Sequence, residues 1–108
     1  MNPIRIAIDV MGGDFAPLNE IQGAILASEK FKHQGLNVEF IFVGKESEIE
    51  NAMKSLSHPQ LHYSILHAEE VVSMHDDPTA VIKSKRLSSL FMGIDMHARG
   101  NADAFVSA

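Results

Sequence analysis

The sequence predicts an α/β protein, a mostly parallel sheet with helices packed on its faces. Three observations carry that reading. Short apolar runs rich in β-branched residues alternate along the chain with segments of helical periodicity, the pattern of an open parallel sheet. The first run, Ile4 to Val10, leads into Met11-Gly12-Gly13 and a helix start at Pro17, the strand–turn–helix entry of a Rossmann-like three-layer sandwich. The composition suits one domain with a modest core: 108 residues, 45% of them hydrophobic.

Each element has its own signal. Ile4, Ile6, Ala7, Ile8 and Val10 form a run suited to a strand covered on both faces. The helix expected over Pro17 to Gln34 places Leu18, Ile21, Ala24, Ile25 and Phe31 on one face, with Pro17 in its first turn and Gly35 as its stop. Val38 to Val43 is the second strand, closed by Gly44. Ile49, Ala52, Met53 and Leu56 give a helix over Glu46 to Leu56 its apolar stripe. A third strand, Leu61 to Leu66, is half polar. Glu69 to Pro78 reads as a long connection, and Asp77-Pro78 as an N-cap followed by Pro at the first helical position of a short helix, Ala80 to Arg86. A helix over Ser88 to Arg99 carries Leu90, Phe91, Ile94 and Ala98 on one face and stops at Gly100. Ala102 to Val106 is the fourth strand. The chain stops where that strand ends, and the carboxyl ends of strands are where open α/β sheets bind ligands. We therefore expect residues 1–108 to be the N-terminal part of a single α/β domain, with one sheet face thinly covered.

Several function classes are disfavoured. Nine basic against 14 acidic residues give a formal charge of −5, contrary to the basic face that general nucleic-acid binding needs. There is no cysteine, so disulfides, cysteine zinc sites and thiol catalysis are excluded for this chain. No apolar run approaches the roughly 18 residues of a membrane span, and no secretory signal pattern is visible. These features favour the cytoplasm.

Two segments could carry chemistry. In the first, Gly12 and Gly13 allow positive φ and close backbone approach, so that N–H groups can reach a phosphate or another small anion. Asp9 or Asp14 would position the ligand, and Asp14 could equally serve as a cap. A tight strand–helix turn without a ligand has the same pattern. In the second, Lys83, Lys85 and Arg86 stand directly before Ser88-Ser89, which open a helix; free N–H groups, two hydroxyls and nearby cations suit an oxyanion, although a solvated helix face would look similar. The six histidines lack the spacing of a helical zinc site, and His75-Asp76-Asp77 reads better as capping than as ligation, so no metal is expected. Ser88 and Ser89 have no evident local base, and no dinucleotide fingerprint, Walker loop or nucleophile elbow is present.

The two segments together resemble a known family. Asp9 to Pro17, read D-V-M-G-G-D-F-A-P, is similar to the N-terminal motif of the bacterial phosphate acyltransferase family PlsX. Pro78, Val81-Ile82-Lys83, Ser88-Ser89-Leu90 and Gly100 to Ala108 then follow that family's order and spacing. Val81 stands where the family usually has Ala, Leu90 where it has Met, and Lys83 where it has Arg, which keeps the charge but loses the planar fork. A Gly-Asn-Thr-Gly-Ala continuation would follow Ala108 in the family. The resemblance implies the fold of the phosphate acetyltransferase and isopropylmalate dehydrogenase group. It also implies transfer of a long-chain acyl group from acyl carrier protein to inorganic phosphate, giving acyl phosphate for phospholipid synthesis. No cofactor is implied. The implied partners are acyl carrier protein, inorganic phosphate, a second copy in a homodimer, and the glycerol-3-phosphate acyltransferase that would use the product. Contact with the inner membrane surface would come only through parts outside this chain. The implied substrate-binding set is Asp9, Gly12, Gly13, Asp14, Lys83, Lys85, Arg86, Ser88 and Ser89, with no catalytic residue assigned. A non-catalytic phosphate- or nucleotide-binding module, or an inactive truncated fragment, is the alternative.

Overall fold

A computed structural model describes residues 3–13, 15–57, 61–69 and 89–107. The elements are β1 (Ile4–Asp9), α1 (Leu18–His33), β2 (Val38–Gly44), α2 (Glu46–Ser55), β3 (Tyr63–His67), α3 (Ser89–Ala98) and β4 (Ala104–Ser107). The expected helix over Ala80 to Arg86 and its Asp77-Pro78 start lie outside the described residues.

The four strands form one sheet in the order β3-β2-β1-β4, every pair parallel. Alternation along each strand divides the apolar residues between two faces. On one face Phe40 and Phe42 of β2 pack with Ile21 and Ala24 of α1 and with Ile49, Ala52 and Met53 of α2. On the other, Ala7, Ile41 and Val43 meet Met92 and Met96 of α3 together with Phe105. The result is the expected Rossmann-like α/β sandwich, with helix layers above and below the sheet.

Five details differ from the sequence reading, the first being that β3 runs Tyr63–His67 where Leu61 to Leu66 was expected. Pro17 is the N-cap of α1, at φ −92°, and not its first helical residue. Leu18, in the first turn of α1, is 41% exposed and not part of the buried face. On α3, Ile94 and Ala98 face away from the sheet, and Met92, Gly93 and Met96 face it. Gly93 decides that orientation: a Cβ there would overlap the Phe105 ring, so its absence lets the helix settle onto β4. Finally, β4 runs two residues later at its start and one later at its end than expected, which brings Ser107 into the sheet.

Helices α1 and α3 end in the same way. Gly35 (φ 72°) and Gly100 (φ 77°) adopt the left-handed conformation that a side chain disfavours. Gly35 N–H donates to Lys32 O and Leu36 N–H to Phe31 O, at 3.0 and 2.9 Å; Gly100 and Asn101 repeat the pattern to His97 O and Met96 O. Both are Schellman endings, which satisfy carbonyls the helix leaves open.

The amino edge of the sheet is tied separately. Arg5 N–H donates to Asp103 Oδ2 at 2.8 Å and Asp103 N–H to Arg5 O at 2.7 Å, while Arg5 Nη2 reaches Gly100 O at 2.8 Å. This fixes the end of α3 beside the start of β1. Since α3 runs antiparallel to the strands, its N-terminus, Ser89, lies toward their carboxyl edge.

Candidate functional site

The strand order places a topological switch point between β1 and β4. From β1 the chain moves outward through β2 to β3, then returns across the opposite face to β4. Two neighbouring strands whose connections leave in opposite directions open a crevice at their carboxyl ends, where α/β sheets bind ligands. Here those ends are Asp9 and Ser107, which are paired in register.

Asp9 closes β1 and is 4% exposed, the one buried charged residue among those described. A carboxylate out of water needs hydrogen-bond partners. Among the described residues it has two: Oδ1 accepts Met11 N–H at 3.0 Å, and Oδ2 accepts the Ser107 hydroxyl at 3.2 Å. The first contact spans two residues, the local turn that aspartate favours after a strand. It also spends the Met11 N–H, so a ligand would have to use later amides of the turn.

The glycine turn is seated from two sides. Gly44, at the end of β2, leaves room for the Met11 side chain: a Cβ at Gly44 would stand 2.6 Å from Met11 Cγ and 3.0 Å from Sδ. Gly13 lies outside the left-handed region, so the positive φ expected there is not what it supplies. It supplies close approach, because a Cβ on Gly13 would collide with Glu20 Oε1. Gly12 is exposed beside it, at the mouth of the turn.

Glu20 is the residue the sequence reading missed. It lies in the first turn of α1, and its Oε2 is buried without a hydrogen-bond partner among the described residues. A glutamate at this position normally reaches back to the N-cap N–H. The N-cap here is Pro17, which has none, so the carboxylate rests against Gly13 instead. The Pro-x-x-Glu spacing was the available signal. Asp9, Glu20 and Ser107 stand at one end of an apolar groove of about 350 Å³, walled by Ile6, Ile8, Phe31 and Val106. This groove is the thinly covered face expected from the sequence; Val106 is 52% exposed.

Of the nine expected site residues, the structure brings Asp9, Gly12 and Gly13 together at the β1 end. Ser89 is the first described residue of α3. Asp14, Lys83, Lys85, Arg86 and Ser88 lie outside the described residues. Among the histidines, His67 has a structural role: its Nδ1 accepts Glu46 N–H at 3.1 Å and caps the N-terminus of α2. Among the described residues no helix is long and apolar enough to cross a membrane.

Fold and site define a class, the parallel α/β sandwiches whose ligand crevice opens beside a glycine turn at the end of the first strand. Comparison with known proteins narrows this. Residues 4–108 match the model of the fatty acid synthesis protein family, and the chain belongs to that family. Among curated relatives it is 43% identical over 107 residues to the phosphate acyltransferase of Koribacter versatilis (strain Ellin345), covering 98% of this chain and 28% of the relative. It is 36% identical over 105 residues to the phosphate acyltransferase of Thermoanaerobacterium thermosaccharolyticum, covering 97% and 29%. With that of Chlorobaculum parvum it shares 35% over 108 residues, covering 100% and 31%. The chain thus spans about three-tenths of the length of these relatives.

Proposed function

We propose that this chain contributes the phosphate-binding crevice of an acyltransferase that moves a long-chain acyl group from acyl carrier protein to inorganic phosphate. The observation that carries the reading is the buried Asp9, joining the Met11-Gly12-Gly13 turn to the end of β4 at the switch point. The relatives' shared name, phosphate acyltransferase, supports the reaction class.

In the proposed reaction a phosphate oxygen attacks the thioester carbonyl carbon. The carbon–sulfur bond then breaks, and the thiolate leaves and takes up a proton, giving acyl phosphate and free carrier protein. Phosphate is already a nucleophile, so the protein's part is to hold it in line and to stabilise the oxyanion. Amides of the glycine turn would face phosphate oxygens. Lys83, Lys85 and Arg86 would supply the positive charge that the Asp9 and Glu20 carboxylates do not. The N–H groups and hydroxyls at Ser88-Ser89 would serve the oxyanion. We place this enzyme in the cytoplasm, as a homodimer.

The test is a chimera in which this chain replaces the matching 107 residues of the Koribacter versatilis relative. Acyl phosphate is measured from acyl-acyl carrier protein and labelled phosphate. We expect turnover, and a higher phosphate requirement in the Ser88→Ala/Ser89→Ala double variant. A folded chimera that binds phosphate and forms no acyl phosphate would instead identify a non-catalytic phosphate-binding module.

A further inference from the structure

We propose that Ser107 is a positioning residue: through Asp9 it latches the glycine turn to the end of β4, so that a phosphate entering the crevice meets a preset backbone. The inference rests on the reading above in taking phosphate as the ligand. The latch itself rests on geometry alone.

Three observations converge on it. Asp9 and Ser107 are register partners on adjacent parallel strands, the last described pair before the crevice. Each Asp9 oxygen serves a different element, Oδ2 the hydroxyl of β4 and Oδ1 the Met11 N–H of the turn. The carboxylate therefore cannot rotate to improve one contact without losing the other. The Met11 side chain also packs over Gly44, where an added Cβ would stand 2.6 Å from Met11 Cγ. Met11 is held by its side chain on β2 and by its amide on Asp9, and Asp9 is held by Ser107. Removing the Ser107 hydroxyl leaves one carboxylate oxygen without its donor and frees the group to turn. Met11 N–H then loses a fixed acceptor, and the amides that follow lose their orientation.

Ser107 is exposed and carries a small side chain, so its substitution does not open the core. It was not among the expected site residues, since Ser107 then stood beyond the expected strand end.

The test uses the 108-residue chain with inorganic phosphate as probe. Amide hydrogen exchange is followed at Met11, with Phe42 as a reference in the core. Phosphate is titrated against the amide resonances of Gly12 and Gly13. Ser107→Thr and Ser107→Val form the informative pair, alike in shape and differing in the hydroxyl; Ser107→Ala accompanies them. Hydrogen bonds to a charged group are typically strong enough for a tenfold effect. We expect the Val and Ala variants to speed exchange at Met11 about tenfold with Phe42 unchanged, and to weaken phosphate binding by a similar factor. Ser107→Thr should restore both, which a purely structural contribution of the side chain would not require. Unchanged exchange at Met11 in Ser107→Val overturns the latch, whether or not phosphate binds. Faster exchange at Met11, with phosphate ignored by the glycine amides of this chain and by the chimera alike, upholds the latch and overturns the phosphate reading.

Discussion

The same substitution placed in two helices should change stability in opposite directions. Gly23 and Gly93 each interrupt a helix, and replacing an interior glycine by alanine typically gains about 1 kcal/mol of helix propensity. At Gly23, in α1, a Cβ would meet nothing within 4 Å. The gain should appear in full. At Gly93, in α3, the Cβ would stand 2.6 Å from Phe105 Cδ1 and 2.8 Å from Cζ, and would overlap the ring edge itself. The obstacle is an aromatic ring on a paired strand, packed with Met92 and Met96, and it cannot swing clear as a chain end would. Either α3 lifts from the sheet or the ring leaves its position, and overpacking of this kind costs about 1–3 kcal/mol. Gly93→Ala should therefore be less stable than Gly23→Ala by about 1–3 kcal/mol, and no more stable than the parent. The assay is urea unfolding of the three proteins, read as a shift in midpoint at constant slope. Equal stabilisation by both substitutions would refute the claim that close contact with Phe105, and not helix propensity, sets the position of α3.

Two further outcomes follow from the packing and the amino edge. Phe42 is fully buried, with its ring 6.3 Å from that of Phe40 and 5.6 Å from that of Tyr63, so Phe42→Ala should lower stability by about 3–5 kcal/mol and broaden or abolish the cooperative unfolding transition. The backbone N–H of Arg5, and then the Arg5 side chain, hold the Asp103 carboxyl below its ordinary value of 3.8. A group depressed in this way stabilises the fold above its unfolded value and loses that contribution as pH falls through the folded one. The stability gap between the parent and Asp103→Asn should accordingly be full at neutral pH and close in acid below 3.8. A gap independent of pH would show that the charge is not its source.

Much of the fold was legible because the strands and the first two helices follow simple rules. Val38 to Gly44 is a largely apolar run buried almost throughout, Ile4 to Asp9 carries alternate isoleucines, and Gly35 and Gly100 stop their helices where the sequence places them. The face of α3 was not legible from its own residues. Ile94 and Ala98 satisfy the helical period, but the contact face was chosen by Phe105, on a strand that the helix precedes in the chain. The site divides in the same way. Asp9 and the glycines were visible, since a strand entering a glycine turn is a local pattern. Ser107 and Glu20 were not. Ser107 matters only once β4 is known to lie beside β1 with Asp9 as its register partner, which strand periodicity does not specify. Glu20 looked like an ordinary first-turn acid until the proline N-cap removed its usual partner.

The Arg5–Asp103–Gly100 tie occupies the opposite edge of the sheet from the Asp9 crevice. The bonds that set how α3 and β4 dock are thus separated, by the length of the strands, from the residues that would meet a ligand. Substitutions around the crevice can alter what it recognises while the docking bonds stay intact, and the reverse also holds. A variant library confined to the exposed positions Gly12 and Ser107 would therefore leave the Arg5–Asp103–Gly100 bonds in place, whereas changes at Arg5 or Asp103 would be read first in how α3 and β4 dock.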